Sequence, residues 1–294
     1  MATDWNSVQT SVKQVIRDRG QWIGLLNEDW EPIAELEPTL FQETDTRLAA
    51  PEVSLTLPGR DSGSRVSLAV DELVAEDLGV FDERGYFRAK NDVARSICVA
   101  REGYRQAFFI PYLDAEGQRA PESLTVEAAG LLSLLEAWPC PSIPESWRGQ
   151  WSTETGDAGV EKYDRERELS LVEMATRADG YTVNGPAEPT IQNLIQDSLD
   201  AVNSHMGWTA DPHMVVDMAS TGRTSPEVMI RVEDDLVLPT VDESARLAGV
   251  NISVDLWWPG DETVLVRDSD RKNVSKKEFP HPVAVARVQQ IEEV

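Results

Sequence analysis

Three histidines, two cysteines and a surplus of carboxylates are the groups from which this chain could build chemistry. His205, His213 and His281 match no zinc spacing, and no HExxH occurs. Cys98 lies in the apolar run Ser96-Ile97-Cys98-Val99-Ala100, and Cys140 stands between Pro139 and Pro141. A cysteine nucleophile requires an activating base, and Cys98 reads instead as a small buried apolar residue. A serine hydrolase would carry its nucleophile in a GxSxG turn; none is present, and Ser62-Gly63-Ser64 reads as a loop. The acidic clusters Glu28-Asp29, Glu76-Asp77 and Glu233-Asp234-Asp235 are types suited to glycosidase acids or cation ligands. With 52 acidic residues in 294, however, each cluster reads first as a solvated face. The alternating calcium loop, the GxGxxG turn and the GxxxxGK[ST] phosphate cradle do not occur. The expectation is no catalytic residue, no metal site and no cofactor.

Charge narrows the partners. The 27 basic residues leave a formal net charge of −25. Wrapping nucleic acid requires phosphate neutralisation by Lys and Arg, and anionic lipid attracts the same residues, so both are disfavoured. DNA could still pass such a surface without sticking. No apolar run reaches the ~20 residues that span a bilayer, so membrane insertion is not expected. The start, Met1-Ala2-Thr3-Asp4-Trp5, shows no signal peptide. Two cysteines make no disulfide framework, which suits synthesis in a reducing cytoplasm. Nine tryptophans against six phenylalanines and five tyrosines is an unusual balance. Tryptophan serves cores and subunit contacts alike.

The elements that would position these groups begin as strands. Ser11–Arg17 and Gln21–Leu26 read as a hairpin about Asp18-Arg19-Gly20, followed by a strand over Glu31–Leu36. Glu52–Leu57 alternates cleanly. A short helix is expected over Val70–Leu78, and strands over Arg95–Arg101 and Tyr104–Tyr112. The middle reads as helical: Val126–Ala137, Glu166–Ala178 and, most strongly, Pro189–Met206, where Ile191, Leu194, Ile195, Leu199, Val202 and Met206 keep a 3.6-residue period. Cys140–Glu145 is expected as an extended connector and Glu154–Asp164 as a polar loop. Strand signals return at Met214–Met218, Glu227–Val232 and Leu236–Leu238. Thr240-Val241-Asp242-Glu243 fits a capping box opening a short helix. Strands are then expected over Val250–Trp258, Thr263–Arg267 and Pro282–Val288, with a charged loop over Ser269–Lys277. The fold class is therefore α+β, with β-rich segments at 1–125 and 211–294 around a helical middle at 126–210.

Two groups of residues resemble one family. The first runs Val15-Ile16-Arg17-Asp18-Arg19-Gly20, Trp22-Ile23-Gly24, Trp30-Glu31-Pro32-Ile33 and Leu55-Thr56-Leu57-Pro58. The second runs Ser225-Pro226-Glu227-Val228, Ala245-Arg246-Leu247-Ala248-Gly249-Val250 and Asp255-Leu256-Trp257-Trp258-Pro259-Gly260-Asp261. Together they resemble the opening and later parts of minor tail proteins of actinobacterial phages, which are similar to the baseplate hub of long-tailed phages. The resemblance covers both ends of the chain and leaves 154–208 without a counterpart. It implies two β-rich domains of tail-hub type and a structural, non-enzymatic role in the virion. The implied protein is a homotrimeric ring at the tail tip, linking the tail tube to tip or fibre proteins. Its implied partners are the distal tail protein, the tape measure protein and other minor tail proteins, with DNA passing unbound.

Trp22, Trp30, Trp257 and Trp258 are the candidate residues for a partner interface or for inter-domain packing. In a regular strand Trp257 and Trp258 face opposite ways, leaving one free for a partner. A hexameric distal tail ring is one alternative. Another, from a different class, is a cell-wall glycan hydrolase or glycan-binding module using tryptophan platforms and a carboxylate pair.

Overall fold

The computed structural model describes residues 3–61, 65–74, 79–81, 87–89, 94–117, 121–157, 159, 162–175, 180–268 and 271–291. The chain forms two compact units. The first comprises Met1–Ser133, Val254–Glu262 and Glu278–Ala284; the second comprises Leu134–Ser253, Thr263–Lys277 and Val285–Val294.

In the first unit the elements run α1 (Trp5–Arg19), β1 (Trp22–Leu26), β2 (Pro32–Glu35), β3 (Leu40–Thr44), β4 (Glu52–Pro58), α2 (Leu68–Leu73), β5 (Gly79–Phe81), β6 (Phe87–Ala89), β7 (Ser96–Arg101), β8 (Tyr104–Glu116) and β9 (Ser123–Gly130). Seven strands form one antiparallel sheet in the order β2-β1-β7-β8-β9-β4-β3, while β5 pairs with β6. Alternation builds the core as expected. Val53, Leu55 and Leu57 of β4 are buried with Ile23, Leu25, Ile97, Val99, Phe108 and Val126, and Ala69 and Val70 of α2 join them.

The expected first strand of a hairpin is instead the helix α1. Its set Trp5, Val8 and Val12 recurs at helical spacing. Asp4 caps the start by accepting from the Ser7 N–H at 3.3 Å. Gly20, at φ +84°, ends the helix by donating to the Ile16 carbonyl at 2.8 Å. The glycine that signalled a hairpin turn is thus a helix stop. Helix α2 ends sooner than expected, at Leu73; residues 75–78 of that expectation lie outside the described residues.

The expected helix over Val126–Ala137 divides. Val126 pairs with Leu55 on one side and Leu113 on the other, so its first part is β9. Only α3 (Ser133–Ala137) is helical.

The second unit continues with β10 (Pro139–Cys140), a single 3-10 turn at Pro144–Ser146, β11 (Trp151–Gly156), β12 (Lys162–Ser170), β13 (Tyr181–Pro186), α4 (Ala187–Met206), β14 (Met214–Asp217), β15 (Glu227–Val232), β16 (Asp235–Leu236) and α5 (Val237–Leu247). Then come β17 (Val250–Trp257), β18 (Val264–Arg267), β19 (Val274–Lys277) and β20 (Val283–Gln290), of which β17 and β20 carry residues of both units. Strands β14, β20 and β17 form a three-stranded sheet; β10-β16, β11-β12, β13-β15 and β18-β19 are two-stranded.

Where a polar loop at 154–164 and a helix at 166–178 were expected, the structure has the antiparallel hairpin β11-β12; residues 176–179 lie outside the described set. Part of the loop expected at 269–277 is β19. The stretch 126–210 therefore carries strands as well as helices, and the two units do not divide at 125 and 210. Thr240 does not cap a helix: α5 begins at Val237, and the Thr240 hydroxyl donates to the Leu236 carbonyl at 2.7 Å.

The strongest helical period is α4, ended by Gly207 at φ +76°. Its Ile191, Leu194, Ile195 and Leu199 are buried, whereas Met206 is exposed. Unusually, Glu188, Gln192, Gln196, Asn203 and His205 of the same helix are buried too. Buried polar groups need partners. Glu188 accepts from the Thr221 N–H at 2.8 Å and hydroxyl at 2.9 Å, and Gln192 donates to the Ala219 carbonyl at 3.0 Å. Among the described residues no helix is long and apolar enough to cross a membrane.

Candidate functional site

The residues picked out at the two ends of the chain meet in the first unit. Trp258 is fully buried. Its ring lies 5.7 Å from that of Trp5 and 6.0 Å, edge-on, from that of Trp22. The Arg105 guanidinium sits over Trp258, 4.1 Å from the ring centroid. Arg105 also pairs with Asp261. Asp261 accepts from the Trp258 N–H at 2.8 Å, and Gln9 of α1 donates to Asp261 at 3.1 Å and to the Pro259 carbonyl at 2.9 Å.

Local sequence explains this geometry. Pro259-Gly260 turns the chain directly after β17, with Gly260 at φ +93°. The Asp261 N–H returns to the Trp258 carbonyl at 3.0 Å, closing the turn. In β1, Gly24 leaves room for the Trp22 ring, since a Cβ there would come within 2.0 Å of it. Arg105 is held by both an aromatic face and a carboxylate, two contacts that strengthen as water is excluded.

Of the sequence candidates, Trp22, Trp257 and Trp258 are buried and Trp30 is half-buried. Trp30 packs at 6.2 Å on Phe109. The expectation that one of Trp257 and Trp258 stays free for a partner is not met. Trp258 lies past the end of β17, so strand alternation does not govern it, and it turns into the cluster just described. Trp257 donates its indole N–H to the Glu262 carbonyl at 2.9 Å and packs edge-on against Phe279 at 5.5 Å. Sequence reading missed Trp5, Gln9 and Arg105. The helical spacing of Trp5, Val8 and Val12 was the available signal for the first two; Arg105 had none.

Both thiols and one of the three imidazoles are buried. Cys98 is fully buried, and burial pushes its thiol up to about 12, despite the opposing Arg105 charge. Burial likewise raises the Cys140 thiol. His205 is buried between the rings of Trp147 and Trp151, at 5.5 and 4.6 Å. His213 packs on Trp208 at 4.8 Å, and the His281 ring nitrogen lies 2.9 Å from the Pro282 carbonyl. The acidic triplet points three ways: Glu233 pairs with Arg231, Asp234 accepts from segments distant in sequence, and Asp235 starts β16. Asp234, at φ +65°, accepts from the Ser142 N–H at 2.7 Å, its hydroxyl at 2.6 Å and the Ala175 N–H at 3.1 Å. Its burial disfavours the carboxylate, but these hydrogen bonds outweigh that and hold its pKa below the ordinary value. Residues 62–64, 76 and 77 lie outside the described set. Among the described residues no cluster of three or more His, Cys, Asp or Glu could hold a metal ion.

A cavity of about 420 Å³ in the second unit is lined by Trp147, Arg148, Asn203, Arg267 and Arg271, among others. Its charges largely satisfy one another. Arg267 bridges Asp197 and Asp200 of α4 at 2.6 and 2.7 Å, and Arg271 reaches Asp197 at 3.1 Å. In the first unit, Glu43 accepts from Tyr104 at 2.5 Å and pairs with Arg101. Burial, followed by the Glu43 bond, raises the Tyr104 phenol.

No protein-family model matches the chain, and no curated protein matches it. Among solved structures, the fold is similar to a prophage tail protein from Listeria monocytogenes, at 9% identity and a TM-score of 0.34, over 90% of this chain and 50% of that one. It is also similar to a tail protein from Neisseria meningitidis, at 10% identity and a TM-score of 0.35, over 89% of this chain and 68% of that one. The chain thus spans half the length of the Listeria protein.

Proposed function

We propose that this chain is a structural, non-enzymatic component of a phage tail. In this reading it forms a trimeric hub ring at the tail tip and links the tail tube to tip or fibre proteins. It would be made in the host cytoplasm and incorporated into the virion beside the distal tail and tape measure proteins. The observation that carries the reading is the meeting of the two segments that resemble minor tail proteins. Trp22 from the first segment and Trp257-Trp258-Pro259-Gly260-Asp261 from the second are far apart in sequence, and Trp22, Trp258 and Asp261 share one buried cluster. The use of these residues in packing supports a scaffold role. The acidic composition fits a bore through which DNA slides without adhering.

Imaging intact particles with the chain tagged tests the reading. Three copies at the tip are expected; six copies would move it to a distal tail ring, and absence from the particle would overturn it. Zymography on host peptidoglycan is the complementary check. Lysis abolished by a single carboxylate substitution would replace the scaffold reading with that of a glycan hydrolase.

A further inference from the structure

The cavity of the second unit is balanced in charge but not satisfied in hydrogen bonding. Its ionic groups are paired: Arg267 and Arg271 with Asp197 and Asp200, and Lys277 with Asp268 at 3.7 Å. Three atoms of its lining residues differ. Trp147 Nε1, Arg267 Nε and Asn203 Oδ1 are buried and have no hydrogen-bond partner among the described residues. Asn203 is 5% exposed and the Arg267 side chain 8%. Buried polar atoms nearly always find a partner, and one left without costs free energy.

Each of the three side chains is held by the fold. Trp147 closes the 3-10 turn, its N–H donating to the Pro144 carbonyl at 3.2 Å, and its ring stands edge-on to His205 at 5.5 Å. Asn203 lies on α4, and its own carbonyl accepts from the Trp208 N–H at 2.8 Å. Arg267 ends β18, and its Nη2 is fixed between Asp197 and Asp200, so the guanidinium is not free to turn its Nε to another group.

The three atoms ask for opposite roles: Trp147 and Arg267 donate, and Asn203 Oδ1 accepts. An anion would serve the two donors but face the Asn203 oxygen, and the guanidinium is already neutralised by two carboxylates. A cation would serve Asn203 and meet Arg267, Arg271 and Lys277. A hydroxyl donates and accepts at once, so a neutral molecule with several hydroxyls answers all three. Met214, Val215 and Val266 add apolar surface to the same lining, beside the body of Trp147. A sugar ring joins an apolar C–H face to a rim of hydroxyls. The cavity, about 420 Å³, is within the ~300–1,000 Å³ of small-molecule sites. We infer that the second unit binds a neutral saccharide here, hydrogen-bonded by Trp147, Asn203 and Arg267. Glycoside cleavage needs two carboxylates free to act; Asp200 and Asp268 are held in ion pairs, so the sugar is bound and not cut. The inference goes beyond the tail reading and does not rest on it.

The test is calorimetric titration and saturation-transfer NMR of the full chain with glucose, galactose, rhamnose, N-acetylglucosamine and maltose, with inorganic phosphate as the charged comparison. At least one sugar should bind saturably, with a millimolar or tighter Kd, and phosphate should not displace it. Trp147→Phe keeps an aromatic ring and removes the N–H; Asn203→Leu keeps the shape and removes the acceptor. Each should weaken binding at least ~10-fold. Unchanged far-UV circular dichroism confirms folding; should Asn203→Leu unfold the chain, Trp147→Phe still reads the hydrogen bond. Failure of every sugar in the panel to bind means that water satisfies the three atoms, and overturns the inference. Binding indifferent to both variants overturns it too, as does displacement by phosphate. A chain that binds sugar but is missing from particles would sink the tail reading alone, and a chain found at the tip that binds none would sink the saccharide site alone.

Discussion

The cluster around Trp258 and the hairpin β11-β12 are built on opposite terms. In the cluster, three indoles, one guanidinium and one carboxylate exclude water, and each group has several neighbours. In the hairpin nearly every side chain is exposed on both faces, and the strands are held by their own ladder. The contrast separates two uses of sequence. Three of the four tryptophans suspected of meeting a partner are buried in the fold, while the stretch that read as a polar loop and then a helix is an exposed hairpin.

Substitutions should widen that contrast. The largest effect is expected from Trp258→Ala, which empties a fully buried indole site; a loss of about 3–5 kcal/mol is expected in denaturant unfolding. A loss under ~1 kcal/mol would show that the cluster is not a packing centre. Arg105→Met keeps most of the volume but removes the charge from both Trp258 and Asp261. It should cost about 1.5–3 kcal/mol, the range for a hydrogen bond to a charged group. Combining it with Asp261→Asn should cost less than the sum of the single changes, because the two side chains share one interaction.

Acid should remove the stabilisation that Asp234 contributes. The Asp234 pKa is depressed in the folded chain, so its stabilisation is complete above its ordinary unfolded value and disappears as pH falls through the folded value. Melting temperature followed from neutral pH into acid should fall less steeply for Asp234→Asn than for the wild type. Identical slopes would remove Asp234 from the acid response. The smallest effects belong to the hairpin. Glu166→Ala and Arg165→Ala should each change stability by no more than ~0.5 kcal/mol, since both are exposed. Larger losses would mean that the hairpin faces are packed in the free chain.

What the sequence made legible follows the same division. Strand β4 was readable because one of its faces is buried and the other is not, and α4 because its apolar residues keep one period. Helix α1 was not. Val12, Gln14 and Ile16 alternate, β-branched residues favour strands, and Gly20 suits a hairpin as well as a helix stop. Strand β9 was hidden by Ala128 and Ala129, whose helical propensity is overridden by pairing with β4 and β8, and by the leucines that follow, of which Leu134 and Leu135 are helical in α3. Strand β12 had no apolar period to read, since its residues are largely charged and exposed. The tryptophan cluster was half visible: its indoles stood out by type, but Arg105 could be placed only by the sheet that carries it.

The packing of Trp5 and Trp22 against Trp258 has one practical consequence. A shielded indole emits at shorter wavelength than a hydrated one. Undocking of the amino-terminal helix would therefore move the emission of Trp5 and Trp258, two of the nine indoles, to longer wavelength.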